Sequence, residues 1–456
     1  MTTVPSAATW PDAIEIQPVR GPVFGTPEIP GSKSITNRAL VTAALAAGTS
    51  SLTGALFSDD THYMAQALNR LGITVRTDEA SRTMGIEGAG GRIPASSADL
   101  FIGNSGTTAR FLAAVVALGT GRYRIDGDEA MRRRPIGPLL DALRQLGVDA
   151  RSNNDNDCPP ITIVSSGLPG GEVTMPGNLS SQYFTGLLLA APGARGDITI
   201  HVEGELISRP YITITAEVMR TFGVEVDLGE TSFRVPGGQW YEPTDYAIEP
   251  DASAASYFFA IAAITGGTIT VEGLGTSALQ GDLEFVRVLE AMGCTVEMTA
   301  TATTVTGPTD GRLRGGEFDM GDISDTSQTL AGIAPFADGP VTFRGVAHNR
   351  VKETDRVGNV VRELRKLGQD VEEFEDGMTI YPRPVTPAVV ETYNDHRMAM
   401  GFALTGLRSP GVVISNPACV TNTFPAFFEV LEGLVRRAQP DGTSRRTMIP
   451  GANPRI

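Results

Sequence analysis

The hydrophobic pattern of this chain alternates between helix-like and strand-like segments. Apolar residues recur every three to four positions over residues 136–146 and 281–292, which is the spacing of an amphipathic helix with one buried face. Shorter apolar runs, such as residues 341–343, are typical of buried strands. The pattern predicts an α/β protein in which helices and strands follow one another along the whole chain.

A sequence pattern that predicts a helix, then a glycine, then a strand recurs at even spacing. Its glycines are Gly72, Gly147, Gly223, Gly293 and Gly368, which lie about 75, 76, 70 and 75 residues apart. A glycine at this place closes a helix in the left-handed conformation before the chain enters a strand. Helix–glycine–strand junctions are common in any α/β protein, but their general frequency does not account for the even spacing. The spacing predicts about six repeated units, three in each of two domains.

The length and the proline-marked junctions predict where the domains divide. A chain of 456 residues exceeds what one hydrophobic core usually supports. Polar, proline-containing breaks occur at residues 27–30 and 241–251. We therefore expect a first domain over residues 31–249 and a second domain made of residues 1–30 and 250–456, with a loose tail from about residue 438.

Composition excludes several classes of function. The net charge of −15 opposes non-specific nucleic-acid binding, so an anionic ligand would need a local cluster of cations. The three cysteines and four histidines show no metal-binding spacing, and the odd number of cysteines favours reduced thiols. The chain shows no apolar run of membrane-spanning length and no export signal at its start, so we expect a cytoplasmic protein without a membrane partner.

The hexapeptide Val-Lys-Glu-Thr-Asp-Arg at 351–356 is the densest candidate site. It places two cations and two carboxylates between a strand-like run and an amphipathic stretch, a composition suited to binding an anion and moving a proton. On a helix, however, Lys352 and Asp355, and likewise Glu353 and Arg356, would be neighbours that could simply pair on a solvated face. Both interpretations stay open on this segment alone.

Two loops before predicted helices could bind phosphate. Lys33, Ser34 and Arg38 stand at the start of an apolar helix predicted over residues 39–45, where backbone amides favour an anion, although the Walker A pattern is absent. The loop at 103–110 precedes an apolar helix predicted over residues 111–118 and carries paired glycines. It could hold an anion on its amides or be an ordinary capped helix start.

Further polar segments point to a charged, hydroxylated ligand. Arg134 precedes a proline that should hold it extended, so that its guanidinium can bind a carboxylate or phosphate in bidentate fashion, whereas Arg132 and Arg133 are expected to be solvated. Segments 178–183 and 207–211 supply hydroxyls and an amide. An Asp-His-Arg cluster at 395–397 abuts an apolar helix predicted over residues 398–404, where charges are costly unless they are paired or bound.

Together these segments resemble the enolpyruvyl transferases, and within them the EPSP synthase (3-phosphoshikimate 1-carboxyvinyltransferase) family. The resemblance runs through nearly the whole chain: PGSKS at 30–34, GNSGTTAR at 103–110, RPIG at 134–137, SSQ at 180–182, SRPYI at 208–212, DASAASYF at 251–258, VKETDR at 351–356, YNDHRMAM at 393–400 and TFP at 423–425. It implies an α/β (α+β) fold, a two-domain inverted α/β barrel with three βαβαββ repeats per domain. The first domain would be the phosphoshikimate-binding side and the second the phosphoenolpyruvate-binding side.

The resemblance also implies an activity. Such an enzyme transfers the carboxyvinyl group of phosphoenolpyruvate to the 5-hydroxyl of shikimate 3-phosphate and releases phosphate, in the shikimate pathway of chorismate and aromatic amino acid biosynthesis. It acts by addition and elimination, without a metal or organic cofactor, as a monomer whose partners are its two small-molecule substrates.

Residue roles are implied motif by motif. Shikimate 3-phosphate would be held by Lys33, Ser34, Arg38, Ser180, Ser181, Gln182, Ser208, Tyr211, Asp325, His348 and Lys352. Phosphoenolpyruvate would be held by Lys33, Asn104, Gly106, Arg134, Gln182, Arg356, His396, Arg397 and Asn422. Asp325 would accept the 5-hydroxyl proton, and Glu353, with Lys33, would protonate the methylene carbon.

Three positions depart from the family pattern. Asn422 stands where the family usually has a lysine that contacts phosphoenolpyruvate, His348 stands where an asparagine is frequent, and Phe111 replaces a proline of many members. An alternative is therefore a diverged paralogue that binds shikimate 3-phosphate or a related cyclitol acid but performs other chemistry, such as phosphate elimination, in secondary metabolism.

Two further alternatives remain at this point. A UDP-N-acetylglucosamine enolpyruvyl transferase usually carries a cysteine on the loop that matches residues 128–134, and none stands there. A non-catalytic phosphate-binding module is disfavoured because Asp325 and Glu353 are both retained.

Overall fold

The computed structural model describes residues 10–437. The tail expected from about residue 438 lies outside the described residues. Between residues 10 and 437, no helix combines the length and apolar character needed to cross a bilayer.

Twelve α-helices and 23 strands make up the described chain. The helices are α1 Lys33–Leu45, α2 Asp59–Arg70, α3 Gly106–Val115, α4 Gly137–Gln145, α5 Ser181–Ala190, α6 Arg209–Thr221, α7 Ala252–Thr265, α8 Phe285–Ala291, α9 Ser327–Ile333, α10 Gly358–Lys366, α11 His396–Gly406 and α12 Phe427–Arg437. The strands are β1 Ala13–Glu15, β2 Phe24–Gly25, β3 Thr49–Thr53, β4 Thr74–Asp78, β5 Thr83–Glu87, β6 Ser97–Phe101, β7 Thr120–Asp126, β8 Asp149–Ser152, β9 Ile161–Ser166, β10 Gly171–Pro176, β11 Ile198–Glu203, β12 Asp227–Leu228, β13 Ser232–Val235, β14 Asp245–Ala247, β15 Thr268–Glu272, β16 Thr295–Met298, β17 Ala302–Thr306, β18 Gly316–Asp319, β19 Val341–Arg344, β20 Asp370–Phe374, β21 Gly377–Tyr381, β22 Ala388–Val390 and β23 Val412–Ser415.

The chain forms two compact units. The continuous unit contains residues 30–251 and the short segment 279–281, and the split unit contains residues 10–29, 252–278 and 282–437. The chain passes from one unit to the other after residues 29 and 251. The boundaries expected from the sequence, after residues 30 and 249, differ from these by one and two residues. Each unit has its own hydrophobic core.

Each unit contains three small sheets, and five of the six sheets share one four-stranded design. In the sheet of β6 to β9, β6 and β7 pair in parallel and are connected by α3, while β9 pairs antiparallel with both β7 and β8. With α4 between β7 and β8, the order along the chain is a βαβαββ repeat. The sheet of β10 to β13 and the sheet of β18 to β21 repeat this pattern. The six repeats expected from the glycine spacing are therefore six sheets.

Three sheets take a strand from a distant part of the chain. In the continuous unit, β14 pairs in parallel with β3, and in the split unit β2 pairs in parallel with β15. The sixth sheet has three strands: β22 pairs in parallel with β23, and the N-terminal β1 lies antiparallel to β23. Up to residue 437, the sixth repeat has no final strands of its own, and β1 pairs at that position instead.

Three buried helices form the centre of each unit, α1, α3 and α5 in the continuous unit and α7, α9 and α11 in the split unit. Of all residues in these six helices, only Lys33, Ser34 and Gln182 are not buried. Glycines allow the helices to approach closely: a Cβ on Gly186 of α5 would lie 2.5 Å from the carbonyl oxygen of Arg110 on α3. The exceptions to burial are all residues expected to bind substrate.

The five repeated glycines end their helices as expected. Their φ angles are 88°, 80°, 84°, 105° and 83° in chain order, all in the left-handed region. In each case the residue after the glycine donates its N–H to a carbonyl five residues back, for example Val148 to Leu143 at 3.0 Å. This is the Schellman arrangement, in which glycine satisfies the last carbonyls of the helix.

Helix starts differ from the sequence prediction. Helices α3 and α11 begin at Gly106 and His396, five and two residues before the apolar runs expected to form them, whereas α1 begins at Lys33, inside the segment expected to open it. Their first turns are polar, so the apolar periodicity does not reveal them. The helix predicted over residues 281–292 begins as a 3-10 turn at Gly281–Glu284 and continues as α8.

Candidate active site

Site residues of the continuous unit lie at the starts of its three buried helices. Helices α1, α3 and α5 are each preceded by a serine whose hydroxyl accepts a backbone N–H: Ser32 from Ile35, Ser105 from Thr108 and Ser180 from Gln182. The first residues of these helices include Lys33, Ser34, Gly106, Ser181 and Gln182. The positive end of each helix dipole therefore lies among the residues expected to bind anions.

The three helices begin at the same end of the unit. Arg38, on the second turn of α1, lies 5.4 Å from the ring of Phe111 on α3 and donates to Thr185 on α5 at 3.3 Å. It also donates to Thr215 at 2.9 Å and to the carbonyls of Ser34 and Tyr211 at 2.8 and 3.1 Å. Burial lowers its pKa to about 10. Most of the hydrogen-bonding capacity of Arg38 is thus used to hold the helices together.

The start of α1 has fewer backbone N–H groups available to bind an anion than expected. The N–H of Lys33 donates to the carboxylate of Asp251 at 3.0 Å, and the N–H of Ile35 donates to Ser32. Two amides that could have bound phosphate therefore have partners within the unit. The binding role of this segment rests on the side chains of Lys33 and Ser34.

Two buried arginines meet at Gly106. Arg134 donates to the carbonyl and side-chain oxygens of Asn104 at 2.9 and 3.2 Å, and its backbone is extended, as expected before a proline. Arg110 donates to the carbonyl of Pro135 at 2.8 Å. A Cβ at Gly106 would lie 2.5 Å from a guanidinium nitrogen of each arginine, so glycine is required for both to approach the helix start.

Ser208 has a strained backbone at the start of α6. Its φ of 53° and ψ of 40° lie in the left-handed region, which is costly for a non-glycine residue and is frequent at functional sites. Its carbonyl accepts the N–H of Tyr211 at 3.1 Å, and the ring of Tyr211 faces Arg38 at 5.9 Å. Ser180 and Ser181, at the start of α5, complete the hydroxyl groups expected in this unit.

In the split unit, the hexapeptide at 351–356 does not form a helix. A 3-10 turn covers Ala347–Val351, Lys352 leaves it with φ −84° and ψ −141°, and α10 begins only at Gly358. The side chains of Arg356 and Glu353 are 2% and 10% exposed. The interpretation as a solvated helix face is therefore wrong: Glu353 and Arg356 do pair, at 2.7 Å, but as a buried pair outside any α-helix.

Three cations converge on Asp325, which precedes α9. Lys352 Nζ lies 2.7 Å from the carboxylate, Arg397 Nη2 lies 2.8 Å from it and Arg356 Nη1 lies 3.3 Å from it. Burial alone would raise the pKa of Asp325, but Arg397, Lys352 and Arg356 hold it well below its usual value. Burial in turn lowers the pKa of Lys352, opposed by the nearby carboxylate.

Arg356 links the hexapeptide to the start of α11. Its Nε and Nη2 donate to the two oxygens of Asp395 at 2.7 and 3.1 Å, in a bidentate pair with both side chains buried. Asp395 also accepts the N–H of Arg397 at 2.9 Å as the cap of α11. Burial alone would lower the pKa of Arg356, but Asp395 and Glu353 raise it above its usual value.

His348 and Asn422 are the two residues of this unit that we expect, from the sequence, to differ from the family pattern. His348 Nε2 lies 2.9 Å from the hydroxyl of Ser324, which also contacts Lys352 at 3.4 Å. Burial and the charge of Lys352 lower the pKa of His348 to about 3. Asn422 ends the 3-10 turn Pro417–Asn422, and its side-chain nitrogen lies 3.2 Å from Nδ1 of the buried His396.

Several residues now placed at the site had no role in the sequence analysis. Asp251 holds the start of α1, Arg110 lies against Gly106, and Tyr257 of α7 lies near Arg397 with a hydroxyl whose pKa burial raises to about 12. All three lie within motifs quoted above, so their positions were visible. The neighbours of Asp251 and Tyr257 were not, because these two contacts join residues far apart in the chain.

The fold and these charge clusters define an α/β protein of repeated βαβαββ units with cations gathered at its central helix starts. The family model of EPSP synthase (3-phosphoshikimate 1-carboxyvinyltransferase) matches residues 17–431. The chain belongs to this family.

Individual relatives agree with this assignment. The chain is 50% identical over 426 residues to the 3-phosphoshikimate 1-carboxyvinyltransferase of Nostoc punctiforme, which covers 92% of this chain and 100% of the relative. It is 46% identical to the chloroplastic enzyme of that name from Arabidopsis thaliana, over 94% of this chain and 86% of the relative. The structure of an EPSP synthase from Acinetobacter baumannii superposes with a TM-score of 0.77 at 26% identity, covering 92% of this chain and 98% of the other.

Proposed function

We propose that this protein transfers the carboxyvinyl group of phosphoenolpyruvate to the 5-hydroxyl of shikimate 3-phosphate and releases phosphate. The observation that carries the proposal is the largely buried Asp325, surrounded by Lys352, Arg356 and Arg397, with Glu353 paired to the same Arg356. This arrangement offers both cations for multiply charged anions and two carboxylates for proton transfer. The names of the relatives supply the reaction to which these groups are suited.

Binding roles follow the charges and donors. In the continuous unit, Lys33, Ser34, Arg38, Ser180, Ser181, Gln182, Ser208 and Tyr211 would serve shikimate 3-phosphate, and Lys33, Asn104, Gly106, Arg134 and Gln182 would serve phosphoenolpyruvate. In the split unit, Asp325, His348 and Lys352 would serve shikimate 3-phosphate, and Arg356, His396, Arg397 and Asn422 would serve phosphoenolpyruvate. We propose that both reactants are small molecules and that the protein acts as a monomer.

Asp325 is suited to accept the 5-hydroxyl proton once substrate is bound. In the structure its cationic neighbours keep it ionised, which makes it a weak base. A substrate phosphate or carboxylate would compete for Lys352 and Arg397 and would thereby raise the basicity of Asp325. The hydroxyl oxygen would then attack C2 of phosphoenolpyruvate as Asp325 takes its proton.

Glu353 would complete the addition. In its protonated form it would deliver a proton to C3 of phosphoenolpyruvate while the new C–O bond forms at C2, giving a tetrahedral intermediate. Elimination would then break the C–O bond to phosphate and return a proton from the methyl group to Glu353. Its bond to Arg356 orients the carboxyl group for both steps.

The direct test is to incubate the protein with shikimate 3-phosphate, with and without phosphoenolpyruvate, and to weigh the products by mass spectrometry. We expect a carboxyvinyl adduct and one phosphate per turnover only when both substrates are present. Phosphate release from shikimate 3-phosphate alone would overturn the proposal and would identify the protein as a diverged paralogue.

A pair of variants separates catalysis from binding alone. Glu353→Gln keeps the shape of the side chain but cannot donate the proton, and it should lower kcat by about a hundredfold or more. Glu372→Gln, on the exposed face of β20, is the matched control and should retain activity. Unchanged activity in Glu353→Gln would contradict a catalytic role for this carboxylate.

A further inference from the structure

A buried carboxylate on α10 has no part in the reaction described above. The side chain of Glu363 is 0% exposed. One oxygen accepts the hydroxyl of Tyr393 at 2.6 Å and the other accepts the N–H of Glu391 at 3.0 Å. Lys366 lies 2.8 and 2.9 Å from the two oxygens, with its own side chain 43% exposed. Glu363 therefore attaches α10 to the backbone and side chain of residues 391–393.

The segment that Glu363 holds is strained. Tyr393 and Asn394 are successive non-glycine residues with φ of 52° and 58°, both in the left-handed region. Such a conformation persists only where surrounding bonds enforce it. The side-chain oxygen of Asn394 also accepts a hydrogen bond at 3.1 Å from Asn416, which itself has a φ of 42°.

The strained pair immediately precedes the charged start of α11. Asp395 follows Asn394, binds Arg356 through both oxygens and caps α11 at the N–H of Arg397. Glu363 and Arg356 lie seven residues apart on the segment that contains α10. Glu363 binds the turn at Glu391 and Tyr393, and Arg356 binds it at Asp395, just after Asn394. The turn is thus clamped at two points.

We propose that Glu363 is a positioning residue for the reaction. Acting through the hydroxyl of Tyr393, it holds the left-handed turn that places Asp395 against Arg356 and Arg397 against Asp325. This inference rests on the proposed function, because it assumes that Arg356 and Arg397 bind phosphoenolpyruvate. Asp395 and Arg397 would move away from their partners if the turn relaxed. Asp325, which is proposed to hold shikimate 3-phosphate, would lose its contact with Arg397 but keep those with Lys352 and Arg356, so we expect phosphoenolpyruvate binding to suffer more.

The first test removes one hydroxyl. Tyr393→Phe keeps the ring, which packs against the core of the split unit, and deletes the bond to Glu363. We expect the KM for phosphoenolpyruvate to rise roughly tenfold, with the KM for shikimate 3-phosphate changed by less than about twofold. Tyr381→Phe is the matched control, since it removes a tyrosine hydroxyl that contacts Glu372 at 3.4 Å within the hairpin of β20 and β21. It should leave both KM values unchanged.

A double-variant cycle shows whether Glu363 and Tyr393 act through one bond. Glu363→Gln should also raise the KM for phosphoenolpyruvate, and the double variant Glu363→Gln with Tyr393→Phe should be no worse than the more impaired single variant by more than about twofold. Lys366→Ala removes the exposed partner of Glu363 and should leave the KM unchanged. Independent, multiplying effects of the two substitutions would overturn the proposal, as would equal increases in both KM values, since these indicate general loss of structure.

Arg397→Ala distinguishes this proposal from the function on which it rests. If Arg397→Ala leaves the KM for phosphoenolpyruvate unchanged, the proposed function itself is wrong. If Arg397→Ala raises that KM while Tyr393→Phe only lowers the melting temperature, the binding assignment stands and the positioning role of Glu363 is wrong.

Discussion

At the scale of single residues, the charge balance around Asp325 and Arg356 explains why two substitutions relative to the family pattern are informative. Lys352, Arg356 and Arg397 face Asp325, Glu353 and Asp395, so the cluster is close to neutral in the absence of substrate. An added or removed charge here changes how strongly the cluster attracts an anion. Asn422 and His348 are both uncharged side chains at its edge.

Asn422→Lys should lower the KM for phosphoenolpyruvate. A charge-assisted contact contributes about 1.5 to 3 kcal/mol, or about ten- to a hundredfold in affinity. Asn422 already reaches His396 at 3.2 Å, so a lysine at this position would lie near the start of α11. Steady-state kinetics with varied phosphoenolpyruvate measure the effect, and Asn422→Met, of similar length without the charge, is the control.

A KM that does not fall in Asn422→Lys would show that another cation already serves this position or that phosphoenolpyruvate is not the ligand. An equal improvement in Asn422→Met would assign the effect to packing rather than charge.

His348→Asn should change how stability depends on pH. Folding keeps His348 neutral, with a pKa of about 3, whereas the unfolded ring has a pKa of about 6.5. Below about pH 6.5 the unfolded chain binds a proton that the folded protein does not, so stability falls with decreasing pH by about 1.4 kcal/mol per unit until about pH 3. Asparagine can still bond Ser324 but does not titrate.

Urea denaturation at several pH values measures this difference. The free energy of unfolding of His348→Asn should fall less steeply with acid than that of the wild type. Parallel pH profiles for the two proteins would contradict the burial of a neutral ring.

At the scale of elements, the repeated helix ends are governed by local backbone geometry. Gly147 has a φ of 80°, and no atom beyond its chain neighbours lies within 4 Å of the position that a Cβ would take, so Gly147→Ala tests conformational strain without a steric clash. We expect a loss of about 1 to 2 kcal/mol in the free energy of unfolding. Gly433, exposed within α12 and equally unobstructed, is the matched control: Gly433→Ala should stabilise by about 0.5 to 1 kcal/mol.

Chemical denaturation of the two variants should therefore show shifts of opposite sign. Equal shifts would mean that the left-handed conformation at Gly147 carries no cost for alanine.

Local features of the fold and site could be predicted from the sequence, and distant pairings could not. The left-handed glycines and the extended Arg134 follow from neighbouring residues, and the structure shows both. The pair of Arg356 with Asp395 joins residues 39 positions apart, and the bond of Arg38 to Thr215 joins residues 177 positions apart, with no local signal. Helix starts were predicted late because their first turns carry polar site residues instead of apolar ones.

At the scale of the whole molecule, the two units differ in how their chain is assembled. The core of the continuous unit is formed almost entirely by residues between 35 and 248. The split unit needs β1 and β2 from the N-terminus in addition to the segments after residue 251. The same three-sheet architecture is therefore made from one nearly continuous segment in one case and from separate segments in the other.

The two units should differ as isolated fragments. Residues 30–251 contain three complete sheets and should unfold cooperatively in urea, as followed by circular dichroism. Residues 252–456 lack β1 and β2, which leaves β23 and β15 with unpaired edges, and this fragment should fold poorly and aggregate. A cooperative transition of similar midpoint for both fragments would show that the N-terminal strands are dispensable.

The position of β1 also sets an order of events during synthesis. Ala13 of β1 pairs with Ser415 of β23, so β1 leaves the ribosome about 400 residues before its partner strand is made. The continuous unit can fold as soon as its segment has emerged, while the start of the chain remains without its partner strand. Strand β1 is therefore among the last of the described elements to reach its native position.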